Sequence, residues 1–349
     1  MRKFLFPNLL VAMQRNSKPS DRLVKIIDEF PKLSITVLGD LIADEFIYGE
    51  ISRVSREAPV LILRHRERMV VPGGAGNAVY NLADLGVTVL PVGIIGDDEP
   101  GRLLLHAFRK KHISTGGIHR IKGHSTVTKT RVLAGMTHSS RQQVIRVDRE
   151  PEEPVDGSVL RELVFQTRGY IRASDGLLIS DYGYGAATPQ IFDSIRSRIS
   201  LNGVLVTLDS RYRTLAYTGV TAATPNEAEL EEALRTRIGN DTDRLLAAGK
   251  AIMQKMKLQS LLVTRGHDGM VVFSKGVPPV QIPIHGSDEV ADVTGAGDTV
   301  IATYTAALAA GADPEAAAKL ANYAGGLVVM KRGTATVTRE ELLRAVMEG

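Results

Sequence analysis

Short apolar runs alternate with amphipathic stretches along most of this chain. SITVLG at 34–39 reads as a buried strand closed by a glycine turn. Just before it, a helix over 21–30 would place Leu23, Ile26, Ile27 and Phe30 on one face, with Ser20-Asp21 as its cap. Further on, 46–49, 60–64 and 67–71 read as short strands between polar stretches, 77–85 as a helix, 89–95 as a strand and 101–111 as a helix. From 159 the pattern becomes regular: helices at 159–172, 188–199, 227–235, 241–255, 297–310, 314–329 and 339–347, with strands at 176–180, 203–208, 260–264 and 270–273. Repeated strand–helix alternation predicts an α/β fold, a mostly parallel central sheet with helices on both sides. Residues 119–149 break the pattern, being polar and β-rich, and VTKTRVLAG with QQVIRVDRE predicts a hairpin. Together 46–72 and 119–149 predict a small sheet projecting from one edge. The organisation is then an extension over 1–33 carrying one helix, followed by one domain over 34–349.

Composition narrows the classes. With 44% hydrophobic residues, 349 residues can bury a sizeable core. The 43 basic and 39 acidic residues leave a net charge of +4, spread along the chain, so there is no concentrated basic face for a nucleic acid. Cysteine is absent, which excludes disulfides and thiolate metal sites and suits a reducing cytoplasm. MRKFLFPNLLVAM begins like an export signal, but Pro7 interrupts its apolar run and no small-residue cleavage site follows. No stretch approaches the ~20 apolar residues of a membrane span, so no membrane partner is expected. The eight histidines lack HxxxH or HxH spacing, so His65, His119 and His285 read as surface or lid residues rather than metal ligands. No GxSxG nucleophile turn occurs.

The densest chemistry lies in DVTGAGDT at 292–299, followed directly by an apolar helix. Gly295, Ala296 and Gly297 allow a tight turn whose amides converge at the helix start, an anion site reinforced by the helix dipole. Asp298, in the first turn, would stand beside that site and accept a hydroxyl proton. Taken alone, GAGD reads equally well as a tight turn with an acid at the dipole. GGAGN at 73–77 lacks the third glycine of a dinucleotide loop, and no GxxxxGK[ST] occurs.

DVTGAGDT resembles the signature of the ribokinase (PfkB) carbohydrate-kinase family. GDLIAD (39–44), GGAGN (73–77), GDDEPG (96–101), SDYGYG (180–185), TPNEAE (224–229) and TRGHDG (264–269) fall in that family's order, so the resemblance covers about 34–345. It implies a ribokinase-like fold with a β-sheet lid and transfer of the γ-phosphoryl group of ATP to a sugar hydroxyl. Asp298 would be the base, and the amides of Gly295, Ala296 and Gly297 would stabilise charge. The resemblance puts Asp40, Asp44, Gly73, Gly74, Asn77 and Asp181 on the sugar side. It puts Asn226, Thr264, Gly266, Gly269 and Asn322 on the nucleotide side, Glu229 at Mg²⁺ through water, and Asp292 with Thr294 at a monovalent cation, K⁺. It also implies a homodimer through the lid. Asp40 reads alternatively as a turn cap, and Thr224 or Asn226 as an ordinary helix cap. Arginine forks suit a phosphate already on the sugar, and Arg53, Arg141 and Arg211 are the candidates, with Arg211 preferred.

RVSREAPVLIL (53–63), QQVIRVDRE (142–150), SDYGYGA (180–186) and DVTGAGDTVIATYTAALAAG (292–311) are most similar, within the family, to the kinase half of bifunctional heptose enzymes. That likeness implies D-glycero-β-D-manno-heptose 7-phosphate as acceptor, the 1,7-bisphosphate as product, and lipopolysaccharide synthesis as the setting. The HxGH of the other half does not occur among these residues, so a stand-alone kinase is expected. Three positions depart from the heptose kinases: Tyr184 stands for a lysine, Arg56 for a proline, and LDSRYR (208–213) displaces the cation to Arg211. The alternatives are a family kinase for fructose, a fructose phosphate, ribose or a nucleoside, and a non-catalytic sugar-binding paralogue. Intact Asp298, Asn226 and Glu229 speak against the last.

Overall fold

The structure, a computed structural model, describes residues 19–135, 142–286 and 291–349. Its first half runs α1 (Pro19–Glu29), β1 (Ser34–Gly39), β2 (Leu41–Val54), β3 (Leu61–Gly74), α2 (Ala75–Asp84), β4 (Thr88–Gly96), α3 (Glu99–Lys110), β5 (Gly117–Ile121), β6 (Thr128–Gly135) and β7 (Gln142–Arg149). The second half continues with α4 (Gly157–Ile171), β8 (Gly176–Asp181), α5 (Pro189–Asn202), β9 (Leu205–Ser210), β10 (Ala222–Ala223), α6 (Glu227–Leu234) and α7 (Thr242–Met256). Then come β11 (Ser260–Thr264), β12 (Met270–Ser274), β13 (Val277–Ile282), α8 (Ala296–Ala309), α9 (Pro314–Val329) and α10 (Arg339–Glu348).

Nine strands form the main sheet in the order β13-β12-β11-β10-β9-β8-β1-β4-β5. It is parallel from β5 to β11, and β12 and β13 add an antiparallel meander at one edge. The apolar run of β1 is explained by burial on both faces: Ile35 and Val37 enter the core beneath α1, α2, α8, α9 and α10, while Leu38 enters the core beneath α4, α5 and α7. Helix α8 is buried over almost its whole length, from Asp298 to Ala307, which is why its sequence is apolar all round.

The second sheet has the order β3-β2-β6-β7 and is the lid. β2 and β3 form one long antiparallel hairpin, paired from Leu41 with Gly74 to Val54 with Leu61, rather than three short strands. The charged run RHRER in β3 lies exposed on a sheet that is not covered on both faces, so no apolar periodicity marks it. β6 and β7 make the expected hairpin. The lid boundary shifts, however. Gly117–Ile121 pairs parallel with β4 in the main sheet, so the lid takes 128–149 rather than 119–149. As a half-exposed edge strand, β5 carries polar residues and reads like lid. β13 also went unread, because Pro278 and Pro279 look like strand breakers, yet an edge strand tolerates them.

Candidate active site

β1 and β8 end side by side, Gly39 opposite Ser180, and a Cβ on Gly39 would collide with the Ser180 carbonyl. The next residue of each strand is an aspartate. Asp40 is 2% exposed and its carboxylate accepts the backbone N–H of Tyr182 (2.8 Å), Tyr184 (3.0 Å) and Ala186 (2.8 Å). Burial pushes its pKa up to about 6 against the pull of these amides. The turn-holding reading of Asp40 is therefore the one the geometry realises. Asp181 is more fully committed. Oδ1 accepts from the Gly183 amide (3.0 Å) and Arg213 Nη2, and Oδ2 from Ser210 Oγ (3.1 Å), Arg213 Nε (3.0 Å) and Tyr217 Oη (2.9 Å). Five donors fill the roughly four lone-pair positions of the carboxylate, so Asp181 is held in a structural ion pair with Arg213 while also bordering the cavity lined by Asp209 and Glu229.

Asp298 occupies the first turn of α8, whose N-cap is Gly295 at φ 79°. Its Oδ1 accepts from Tyr182 Oη (2.8 Å) and its Oδ2 from Asn77 Nδ2 (3.1 Å), which also reaches the Gly295 carbonyl (3.2 Å). Asn81 donates to Asn77 Oδ1 (3.1 Å), which turns the Asn77 amide nitrogen toward the acid. A Cβ at Gly295 would strike that nitrogen, so glycine is required by both φ and space. At 4% exposure the Asp298 carboxyl is pushed up to about 7, chiefly by burial; Asn77 and Tyr182 pull the other way, Asp44 adds to the rise and Lys129 opposes it. Of the three amides expected at the anion site, Ala296 donates to the Val293 carbonyl (3.2 Å), whereas Gly297 stands at a cavity wall.

That cavity has a volume of about 650 Å³ and is lined by Tyr182, Asp209, Arg211, Thr224, Asn226, Glu229, Thr264 and Gly297 among others. Asn226 caps α6, accepting the Glu229 amide (2.9 Å) while Glu229 accepts the Asn226 amide (3.0 Å), so the ordinary capping reading holds. Burial raises the Glu229 carboxyl, and burial with repulsion from Glu229, Asp298 and Asp181 holds Asp209 well above the usual carboxylate range. Thr224 Oγ1 is buried without a partner among the described residues. Arg211, expected on the sugar side, lines this cavity instead and stacks over Tyr212 (5.6 Å).

The remaining expected residues are dispersed. Asp44 accepts from Arg131 Nη1 (2.6 Å) and Thr334 Oγ1 (3.0 Å), and Gly73 leaves the space its carboxylate fills. Gly74, at φ 55°, caps α2. Gly266 and Gly269 turn β11 into β12, and Gly269 lies tight under the Ile282 carbonyl, outside the cavity lining. Asn322 donates to the Pro283 carbonyl (2.8 Å) and borders a separate hollow with His285 and Tyr323. Asp292 accepts the amides of Thr294 (2.9 Å) and Gly333 (3.0 Å), tying the signature loop to the chain after α9. Arg53 is exposed near the hairpin tip, and Arg141 lies outside the described residues. Sequence reasoning missed Tyr182, Asp209 and Lys129. Tyr182 and Asp209 sit inside quoted motifs, SDYGYG and LDSRYR, but their side-chain directions carry no sequence signal.

A family model described as pfkB family carbohydrate kinase matches residues 33–341. The chain belongs to this family. As a pfkB kinase it is a phosphotransferase with an alcohol group as acceptor. It is 39% identical over 315 residues to the bifunctional protein HldE of Trichlorobacter lovleyi, covering 90% of this chain and 63% of that protein. It is 38% identical over 336 residues to that of Mesorhizobium japonicum, covering 96% and 66%. This pfkB kinase thus spans just under two thirds of the length of these relatives. Among solved structures, Arabidopsis thaliana ribokinase complexed with ribose and ATP superposes with a TM-score of 0.69 at 19% identity, covering 90% of this chain and 98% of that one. Phosphofructokinase-2 from Escherichia coli in complex with potassium gives 0.72 at 16%, covering 90% and 98%. These likenesses establish the ribokinase-like fold. No helix among the described residues is long and apolar enough to cross a membrane.

Proposed function

We propose that this kinase transfers the γ-phosphoryl group of ATP to the anomeric hydroxyl of D-glycero-β-D-manno-heptose 7-phosphate, giving the 1,7-bisphosphate in the cytoplasm for lipopolysaccharide synthesis. The observation that carries the chemistry is Asp298, buried at a helix N-terminus with one oxygen held by Asn77 and the other by Tyr182. The sugar binds between the carboxyl ends of the main sheet and the inner face of the lid, which keeps water from the reacting phosphate. Asp298 takes the proton of the acceptor hydroxyl, while the Gly297 amide and the α8 N-terminus face the charge that develops on the phosphoryl group. The substrate class is supported by the four sequence stretches shared with heptose kinases.

The nucleotide-side cavity suits a magnesium ion. Asp209 and Glu229 repel one another there, Thr224 offers a buried free hydroxyl, and Mg²⁺ needs only one or two carboxylates beside its waters. Bound there, it would neutralise triphosphate charge. A potassium ion would have to share Asp292 with two amides, and no step here requires it.

A panel of sugars and sugar phosphates assayed for ADP release tests the reading. The highest kcat/KM is expected with heptose 7-phosphate, and a preference for an unphosphorylated sugar would remove the assignment. The proposed homodimer rests on the lid's outward side, where Ile145 and Val147, each 54% exposed, lie on edge strand β7. Sedimentation of the wild type is expected to give a dimer that Ile145→Glu splits; a wild-type monomer would refute it.

A further inference from the structure

The inner face of the lid holds an unbalanced charge. In the register of β2, β6 and β7, Asp44, Lys129 and Asp148 form one row, and Phe46, Arg131 and Arg146 the next. The acids of the first row are claimed by the arginines of the second: Arg131 Nη1 reaches diagonally across from β6 to Asp44 Oδ1 (2.6 Å), and Arg146 Nε binds Asp148 Oδ1 two residues along β7 (2.7 Å). Lys129, between them, is left over. It is 6% exposed, and among the described residues its ammonium makes no hydrogen bond or ion pair. What surrounds it is aromatic: Nζ lies 5.3 Å from the centre of the Tyr182 ring and 5.8 Å from that of Tyr184. Tyr182 is also the residue that binds Asp298.

A buried ammonium with no direct hydrogen bond or ion pair is expensive to hold; Asp44 and Asp148 act on it only through space, each being bound to an arginine, and two ring faces offset only part of the cost. Its retention points to an anion that arrives from outside. Arg131 and Arg146 add positive charge beside the same spot, with Arg146 giving Nε and Nη2 to Asp148 and Arg131 giving Nη1 to Asp44, so Lys129 is the cation left to meet an incoming anion. Lys129 does not line the cavity of Asp209, Arg211 and Glu229 where the nucleotide is placed, so the anion comes from the lid side.

We propose that Lys129 is the seat of a phosphate already carried by the acceptor sugar, and so a specificity-determining residue of this kinase. The proposal rests on the sugar-phosphate reading given above. It takes the role expected of Arg53, which lies at the hairpin tip, and stands beside Arg211, which lines the cavity of Asp209 and Glu229.

The decisive measurement is a ratio. Wild type, Lys129→Met and Lys129→Arg are assayed with a sugar phosphate and with the same sugar lacking the phosphate. Loss of one charge-assisted contact of ~1.5–3 kcal/mol predicts that Lys129→Met lowers the kcat/KM ratio between the two acceptors by about 10- to 100-fold, mainly through KM of the phosphorylated one. Lys129→Arg is expected to recover most of it. Inorganic phosphate should compete with the sugar phosphate in the wild type and not in Lys129→Met. An unchanged ratio, with both acceptors losing equally, would overturn the seat and assign Lys129 to transfer itself. Should Lys129→Met not fold, the wild-type phosphate competition decides alone, and its absence overturns the proposal. The acceptor ranking of the wild type separately tests the sugar-phosphate reading, so the two failures are told apart.

Discussion

Asp298→Asn is expected to lower kcat by roughly 10²- to 10⁴-fold, the usual contribution of a positioned general base, while the KM values for ATP and sugar change little. The substitution keeps shape and removes only the capacity to take a proton. In the wild type, kcat/KM should rise with pH and level off above about 7, because burial sets the Asp298 carboxyl near that value and only its ionised form is a base. That limb should vanish from the residual activity of the variant. Stability moves in the opposite sense. The folded-state pKa lies above the ordinary value of 3.8, so between those values the unfolded chain releases a proton that the folded chain keeps, and stability falls as pH rises. Asp298→Asn removes this cost, so its Tm should match or exceed the wild type above pH about 7, with the gain shrinking toward pH about 4. Near-wild-type kcat at pH 8 would take the base role from Asp298.

Asp181→Ala is expected to act on the fold instead. It strips a buried carboxylate from Arg213, Ser210, Tyr217 and the Gly183 amide, leaving a buried phenol without its acceptor and a part-buried guanidinium with only the Ala187 carbonyl. Removing one partner of such a pair costs about 3–5 kcal/mol. Urea unfolding should show the midpoint displaced with an unchanged m-value. A stable variant with a raised KM for sugar alone would restore the sugar-ligand role that the SDYGYG motif first suggested. Asp40, with three amide donors, belongs to the same frame: one aspartate from each of two neighbouring strand ends holds the loop that carries Tyr182 to Asp298.

Much of this was legible from local pattern. Both cores leave their mark on β1, β8 and β9 as apolar runs, and the signature DVTGAGDT reports its own turn because Gly295 must take a positive φ. The lid was harder. A sheet buried on one face at most tolerates charge at alternate positions, so RHRER in β3 hid half of the hairpin, and the polar edge strand β5 passed for lid. Within the site, residue type was readable but commitment was not. Asp40, Asp44, Asp181 and Asp209 are equivalent letters, yet the first three are claimed by protein donors while Asp209, like Asp181, borders the cavity.

The sequence alone therefore determined the strand–helix alternation of the main domain, the family, and the identity of the acid at the start of α8, because each is encoded within a few consecutive residues. Only the tertiary structure decided which carboxylates were already satisfied, that Asn77 and Tyr182 grip Asp298, and that Lys129 is a buried cation with no direct ion pair among the described residues. Those facts depend on donors brought together from distant parts of the chain, 116 residues apart for Tyr182 and Asp298 and 221 for Asn77 and Asp298, and on the burial that folding alone creates.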